Sequence, residues 1–533
     1  MKSNKQSFVK GALVLTIAGI ISKVLGAVYR IPLGQIITSV GMAYHQTAYD
    51  LYILALTFSS YSIPTAISKL VSERIEMGRR AEAHKVFRVA LVLLSALGIG
   101  LSLILYFNAR YFSELVKNPN SYLAILAVSP AIFTVSISGA FRGYFQGMQN
   151  MNPSAISQVT EQIFRVGSGF VLAILLLPYG YKESAAGAVF GTALGGLASF
   201  LTLYIIYLRN RRYIYEDIKR DQRKLTESTR RIIAKIIKFS IPITIGGSIM
   251  PVMGLLDTFI VMDRLEAAGF NQITATRLFG QLKAIATSFI NLPQVFTISL
   301  AVSLVPSISE TVARKDIAGL KRKTQLALKM CMLLGLPAAM GLYILADPIM
   351  MMFYPKETAT LGLALKYLSP GVIFLTLVQT MTGILQGMGK ERIPVINMTI
   401  GAISKAFISY LLTSIPSINI RGAALGTVVG YAIAALLNSF ALMRYQGKRI
   451  GIISGGFKPI IATVIMGIFA RYSYMFFYSY TLRNSLSTII SMFISVIVYG
   501  VVIILIKGVK EEELIMAPGG EKLLKALKKK GLL

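Results

Sequence analysis

The chain has 533 residues, 54% of them hydrophobic and only 15% charged, with a formal net charge of +32. This balance excludes a soluble globular enzyme, which would need far more polar surface. The basic excess is read as loop charge of a membrane protein with affinity for anionic lipids, and no nucleic-acid partner is expected.

Residues 1–7 are short and basic. The first apolar segment, 8–28, is too long for a typical signal-peptide core, holds Lys23 and lacks a small-x-small cleavage site, so it reads as a retained helix. Further membrane spans are predicted at 46–68, 86–107, 122–146, 154–177 and 185–208. A polar, strongly basic stretch, 209–238, follows as a linker, and its part from Lys224 to Ile237 has helix-like spacing suited to a membrane surface. Spans resume at 239–262, 280–304, 326–346, 361–386, 394–414 and 421–443, with two more at 459–479 and 485–506. In the tail, Leu523, Leu524 and Leu527 lie against Lys522, Lys525, Lys528 and Lys529, the pattern of a basic amphipathic helix on the inner leaflet. The expected fold class is an all-α polytopic membrane protein of about fourteen helices. Its regions are an N-lobe, 1–208; the linker, 209–238; a C-lobe, 239–445; and a C-terminal part, 446–533.

The two lobes carry an internal duplication. Ser129-Pro130 returns as Ser369-Pro370, and Gly143-x-x-Gln146-Gly147-Met148 returns as Gly383-x-x-Gln386-Gly387-Met388. Gly187-x3-Gly191-Thr192-x2-Gly195 matches Gly422-x3-Gly426-Thr427-x2-Gly430. Six spans per repeat make the copies parallel, with a substrate path expected between them. Alternating the spans from a cytoplasmic N-terminus puts most of the 55 Lys and Arg on the cytoplasmic side, together with the linker and the C-terminus.

Charges at membrane depth are costly and normally face a partner or a cavity. The candidates are Lys23, Arg142, Glu161, Arg165, Asp257, Lys283 and Lys405, with Arg30 and Asp50 near the outer ends of the first two helices. Each has a plainer reading. Glu161 and Arg165, at i,i+4, pair with each other; Arg142 snorkels to the interface; Asp257 neutralises a cation. Lys405 falls at the place in the second repeat that Arg165 holds in the first. The glycine motifs also serve close helix packing. The two histidines, His45 and His84, fall outside the predicted spans, and no nucleotide, zinc or CxxC motif is present.

The segments GALVLTIAGIISKVLGAVYRIPLG, SIPTAISKLVSER and FRGYFQGMQNMNPSAISQVTEQIFRV resemble the polysaccharide-transport family (MurJ/YtgP/SpoVB-like) of the multidrug/oligosaccharidyl-lipid/polysaccharide exporter superfamily. The resemblance covers nearly the whole chain. It implies two six-helix lobes around a V-shaped cavity, two extra C-terminal helices that form a lipid-tail groove, and flipping of an undecaprenyl-pyrophosphate-linked sugar, in this group lipid II. The family's Ser-basic-Val-Leu-Gly pattern matches Ser22-Lys23-Val24-Leu25-Gly26, with Arg30 after it. There are departures. The arginine that such proteins carry shortly before a Leu-Pro on the eighth helix is missing before Leu292-Pro293, and Lys283 is the nearest cation. A sodium site like that of some members would use Asp257 and Asn397, but its second aspartate position is Gly401 here.

The expected function is therefore a non-enzymatic flippase in the bacterial plasma membrane, monomeric, without cofactors, driven by an unidentified ion (sodium or proton) or by membrane potential. Lys23, Arg30, Arg142, Arg165, Glu161, Lys283 and Lys405 are its substrate-binding candidates. Two alternatives stand: a drug/cation antiporter of the same superfold, which would want an acidic cavity, and a non-transporting membrane scaffold for wall or spore-cortex assembly.

Overall fold

The computed structural model describes residues 8–219, 221, 227–357, 359–446 and 452–509. The amphipathic tail at 522–529 and the core of the linker, 222–226, lie outside the described residues. The described residues form helices and connecting turns, with no β-strand among them. By contact the chain divides into two units, 1–266 with 270–280, and 267–269 with 281–533.

The first unit starts with α1 (Phe8–Leu56), which is not one straight helix. Thr38 has φ 60° and ψ 179°, a break that a β-branched residue adopts only under constraint. In a straight helix Arg30 and Tyr49 would stand about 28 Å apart. The Arg30 guanidinium instead lies 5.8 Å from the Tyr49 ring centroid, so α1 doubles back at Thr38 into two antiparallel halves. The second half continues through a π-helical turn (Thr57–Tyr61) into α2 (Ile63–Glu76). There follow α3 (Arg80–Phe107), the short α4 (Ala109–Leu115), α5 (Tyr122–Gly147), α6 (Asn152–Leu176), α7 (Tyr181–Lys219), α8 (Thr229–Ala267) and α9 (Gln272–Phe279). Gly180, at φ +133°, makes the tight passage from α6 to α7 that other residues enter only with strain.

The 209–238 stretch is helical at both ends. Its first half extends α7 to Lys219, and its second half, expected as a separate surface helix, forms the first turns of α8. Ile232 and Ile236 are buried in one apolar cluster with Phe87, Phe141 and Leu203. That burial places the seventh span in the first compact unit, whereas the sequence-based lobes put it in the second. The helix bends by 47° between Thr229–Ile245 and Gly247–Ala267, where Gly246-Gly247 and the missing N–H of Pro251 weaken the helical ladder.

The second unit takes up the chain within a π-helical turn (Gly280–Ala286) and contains α10 (Thr287–Asn291), α11 (Gln294–Ala313), α12 (Ile317–Ile344), α13 (Ala346–Phe353), α14 (Thr360–Leu368), α15 (Gly371–Gly387), α16 (Arg392–Thr413), α17 (Ile420–Gln446), α18 (Ile452–Thr481) and α19 (Asn484–Leu505). The span expected at 280–304 is broken by Leu292-Pro293, and the membrane-length helix begins at Gln294.

Among the described residues twelve helical runs are long and apolar enough to cross a membrane, and the bent α8 adds a thirteenth. One run, Leu13–Glu76, has 64 residues, far beyond the roughly 20 that a bilayer core requires. Its reversal at Thr38 makes it two crossings, which gives the expected fourteen. Large apolar side chains such as Val92, Phe107 and Val496 stand exposed, as lipid-facing positions do.

The duplication is physical as well as textual. In the first unit, a Cβ added at Gly143 would lie 2.7 Å from the Pro64 carbonyl oxygen, and one at Gly147 2.8 Å from that of Ser68. In the second, a Cβ added at Gly383 or Gly387 would lie 2.9 Å from the carbonyl oxygen of Ala301 or Val305, respectively. Gly191 and Gly195 press on Arg165 of α6, and Gly426 and Gly430 press on Lys405 of α16. Each repeat therefore joins the same helix pairs through the same small residues, with backbones close enough for dispersion to hold them in lipid.

Candidate functional site

The polar centre of the first unit is built on α5, α6 and α7. Arg142 sits on α5 one and a half turns before the helix ends, and Glu161 and Arg165 lie on successive turns at the middle of α6. The Arg142 Nη2 donates to Glu161 Oε2 at 2.8 Å and to the Ser199 hydroxyl of α7 at 2.9 Å, while its Nε donates to the Ser157 hydroxyl at 3.0 Å. Arg165 Nη2 donates to Glu161 Oε1 at 3.1 Å. The side chains of Arg142, Glu161 and Arg165 are 16, 13 and 19% exposed. Arg142 is thus locked into a three-helix network and does not snorkel to the interface. The i,i+4 pair of Glu161 and Arg165 forms, but the same carboxylate also holds Arg142.

Two guanidinium groups share one carboxylate, so the centre keeps one uncompensated positive charge. Such a site favours an anion, and a guanidinium's fork of donors matches phosphate oxygens. The Arg165 Nε is buried without a hydrogen-bond partner, a donor left available in a region where that is costly.

Around this centre the first half of α1 runs alongside α6. Ser22 donates to the Gln158 carbonyl at 3.4 Å, Gly26 faces the Gln162 amide and Gly169 faces the Tyr29 hydroxyl. The contacts advance together along both helices, so the two run in the same direction, as two odd-numbered crossings must. Tyr29, His45 and Tyr52 lie within electrostatic reach of Arg165. The Tyr29 and Tyr52 hydroxyls and the His45 Nδ1 are buried without partners. His45, expected outside the spans, is buried in the second half of α1, and His84 is buried in α3 among Phe87, Tyr144 and Tyr207.

The other candidates are distributed as follows. Lys23 is exposed on α1, and Arg30 is half-buried against Tyr49. Asp50 accepts from Gln46 at 2.7 Å and from Thr258 of α8 at 2.8 Å. Asp257, also on α8, is buried. In the second unit, Lys283 is half-buried in the π-helical turn and Lys405 half-buried on α16. Asn397 donates to Asn438 at 2.8 Å. Asp257 belongs to the first unit and Asn397 to the second. No cluster of three or more His, Cys, Asp or Glu suited to a metal occurs among the described residues. The structure brings together Arg142, Glu161 and Arg165, and adds Ser157, Ser199 and the tyrosines, which sequence reasoning missed. Their common signal, a polar residue inside an apolar span, is too frequent for serine and tyrosine to single them out.

The fold defines a polytopic all-α membrane protein, and its first unit holds a buried cationic centre. The chain belongs to the "Polysaccharide biosynthesis protein" family, whose sequence pattern matches residues 8–312; the MatE pattern matches residues 242–411. It is 30% identical to stage V sporulation protein B of Bacillus subtilis over 441 residues, covering 82% of this chain and 83% of that one. It is 28% identical to the lipid II flippase MurJ of the same organism, covering 86% and 87%. Among solved structures it resembles the lipid II flippase MurJ in an inward closed conformation, with TM-score 0.64, 17% identity, and 92% and 98% of the two chains covered. An inward-facing MATE multidrug transporter matches at TM-score 0.63 and 15% identity, covering 78% and 98%. At these identities the structural likenesses carry the fold alone.

Proposed function

We propose that this protein flips an undecaprenyl-pyrophosphate-linked glycan precursor, with lipid II as the leading substrate, from the inner to the outer leaflet by alternating access. The observation that carries this reading is the Arg142–Glu161–Arg165 centre, a buried site with surplus positive charge inside an otherwise apolar helix bundle. A pyrophosphate cannot cross hydrocarbon bare, and buried guanidiniums offer it charge-assisted hydrogen bonds in place of water. Glu161 orients both arginines and lowers the cost of burying them when no substrate is bound. Lys23 and Arg30 of the same unit supplement the cationic lining, while the polyprenyl tail stays in lipid. Substrate that binds the inward and outward states differently, with an ion or the membrane potential setting the bias, gives direction. In this reading both termini and the 209–238 stretch are cytoplasmic.

The MatE match over 242–411 supports an antiporter of cationic drugs as the second reading. That activity would want an acidic site, and the surplus charge here is positive. The deciding experiment is translocation of fluorescent lipid II in proteoliposomes by wild type and Arg165→Ala, beside efflux of a cationic dye. Lipid II flipping that depends on Arg165 supports the proposal; dye efflux without flipping supports the antiporter.

A further inference from the structure

A second feature of the first unit stands apart from the cationic centre. It is an apolar crevice of about 350 Å³, built against two irregular helices. It lies between the π-helical turn, represented by Phe58, the middle of α3, represented by Leu93 and Leu97, and α8 from Ile236 to Ile245. Ile237, Ile241 and Ile245 line it while remaining 43, 51 and 63% exposed, so it is open along its side at the depth of a membrane span. Its far end on α8 is the bend at Gly246-Gly247. Ser62 and Thr244 hydrogen-bond to each other at its edge. The Ser240 hydroxyl, 5% exposed, lines the crevice and has no partner.

The same helix carries cations at its start. Arg230, Arg231 and Lys238 are exposed on the first turns of α8. Seven residues make nearly two full helical turns, so Arg230 lies on the same face as Ile237, about 10 Å away along the axis. A cation at the membrane surface followed by an apolar stripe and a crevice matches a phosphate head joined to a hydrocarbon chain. Lys235, on the same turns, is already committed to Glu227; of the remaining Arg230, Arg231 and Lys238, the two arginines stand at the start of the helix, ahead of the apolar stripe, where a phosphate head would lie.

We propose that this crevice is a binding site for an anionic glycerophospholipid of the bilayer. The phosphate rests on Arg230 and Arg231, one acyl chain lies along Ile237, Ile241 and Ile245, and a glycerol or ester oxygen reaches Ser240. A lipid held there rests against both the π-helical turn and the bend of α8. Zwitterionic lipids would fit the crevice but gain less from the basic end, because their own ammonium offsets the phosphate.

The test is native mass spectrometry of the full-length protein in detergent, titrated with phosphatidylglycerol or phosphatidylcholine of equal chain length. Wild type is expected to retain phosphatidylglycerol at least roughly tenfold more tightly, as two added surface cations at about 1 kcal/mol each allow. Arg230→Gln with Arg231→Gln should abolish that preference and leave thermal stability unchanged. Ile241→Ala, which shortens the stripe, should weaken both lipids together. Equal retention of the two lipids by wild type, or an undiminished preference in the double variant, would overturn the proposal. So would displacement of phosphatidylglycerol by stoichiometric undecaprenyl pyrophosphate, which would make the crevice part of the substrate path; this outcome is read separately from flipping activity.

Discussion

Arg142 of α5 and Arg165 of α6 donate to opposite oxygens of one carboxylate, Glu161, at 2.8 and 3.1 Å. The consequence is a division of labour that neither arginine alone would show. In the proposed mechanism Glu161 stabilises the substrate-free centre, and the arginines' surplus charge is what an anion would meet.

Removing one arginine should cost about 1.5–3 kcal/mol of pyrophosphate binding, the range for a charged hydrogen bond. Arg165→Ala and Arg142→Ala are therefore expected to weaken binding roughly ten- to a hundredfold, measured by titration with undecaprenyl pyrophosphate. Glu161→Gln should affect binding less than Arg165→Ala, because it removes an orienting partner and spares the phosphate contact. Normal flipping by Lys23→Ala, Arg30→Ala and Arg165→Ala alike would defeat the mechanism and favour a scaffold role.

Glu161→Gln should instead lower the unfolding temperature, since it leaves two guanidiniums buried without their counter-charge. Combining it with Arg142→Gln should recover part of the loss. A double-mutant cycle read by thermal unfolding in detergent is expected to show coupling of about 0.5–3 kcal/mol; strict additivity would mean the pair does not interact.

The glycine contacts give a sharp contrast on one helix pair. A Cβ at Gly191 would fall 2.5 Å from the Gly169 Cα and 2.6 Å from the Arg165 carbonyl oxygen, whereas Gly167 has open space around it. Gly191→Ala should force α6 and α7 apart and sharply reduce the yield of folded protein. Gly167→Ala should be tolerated. Size-exclusion profiles and unfolding temperatures of the two variants decide it.

Glu227 lies outside the spans, between Arg74 of α2 and Lys235 of α8, to both of which it is ion-paired. Burial alone would raise its carboxyl, but the hydrogen bonds from Lys235 and Arg74 outweigh burial and hold it below its ordinary value of 4.5. A depressed folded-state pKa contributes stability that is present above the unfolded value and lost as pH falls through the folded one. Wild type should therefore unfold at a higher temperature than Glu227→Gln at pH 7, and the difference should shrink as pH falls below about 4.5. A difference that persists unchanged at about pH 3 would show that the carboxylate's charge is not its source.

Reporter fusions inserted after Lys219 and at the C-terminus should both report a cytoplasmic location. An external location for either would break the alternation of fourteen crossings.

The membrane solvent, the number of crossings, the duplication and the identity of the main charges were all legible in the chain before any packing was known. They are written in composition and period: a span must be apolar for about 20 residues, so Arg142, Glu161, Arg165 and Lys405 stand out against it. The neighbours of those charges were not legible. That Ser157, Ser199 and the tyrosines surround the arginines depends on how α1, α5, α6 and α7 pack. So does the reversal of α1 at Thr38, which puts His45 and Tyr49 beside Arg30 and Arg165, and the docking of the basic stretch before residue 238 as part of α8. Spans in lipid share nearly the same apolar exterior, so hydrophobicity does not select which of them lie side by side. Close approach at Gly191, Gly195, Gly426 and Gly430, and hydrogen bonds made across helices, do.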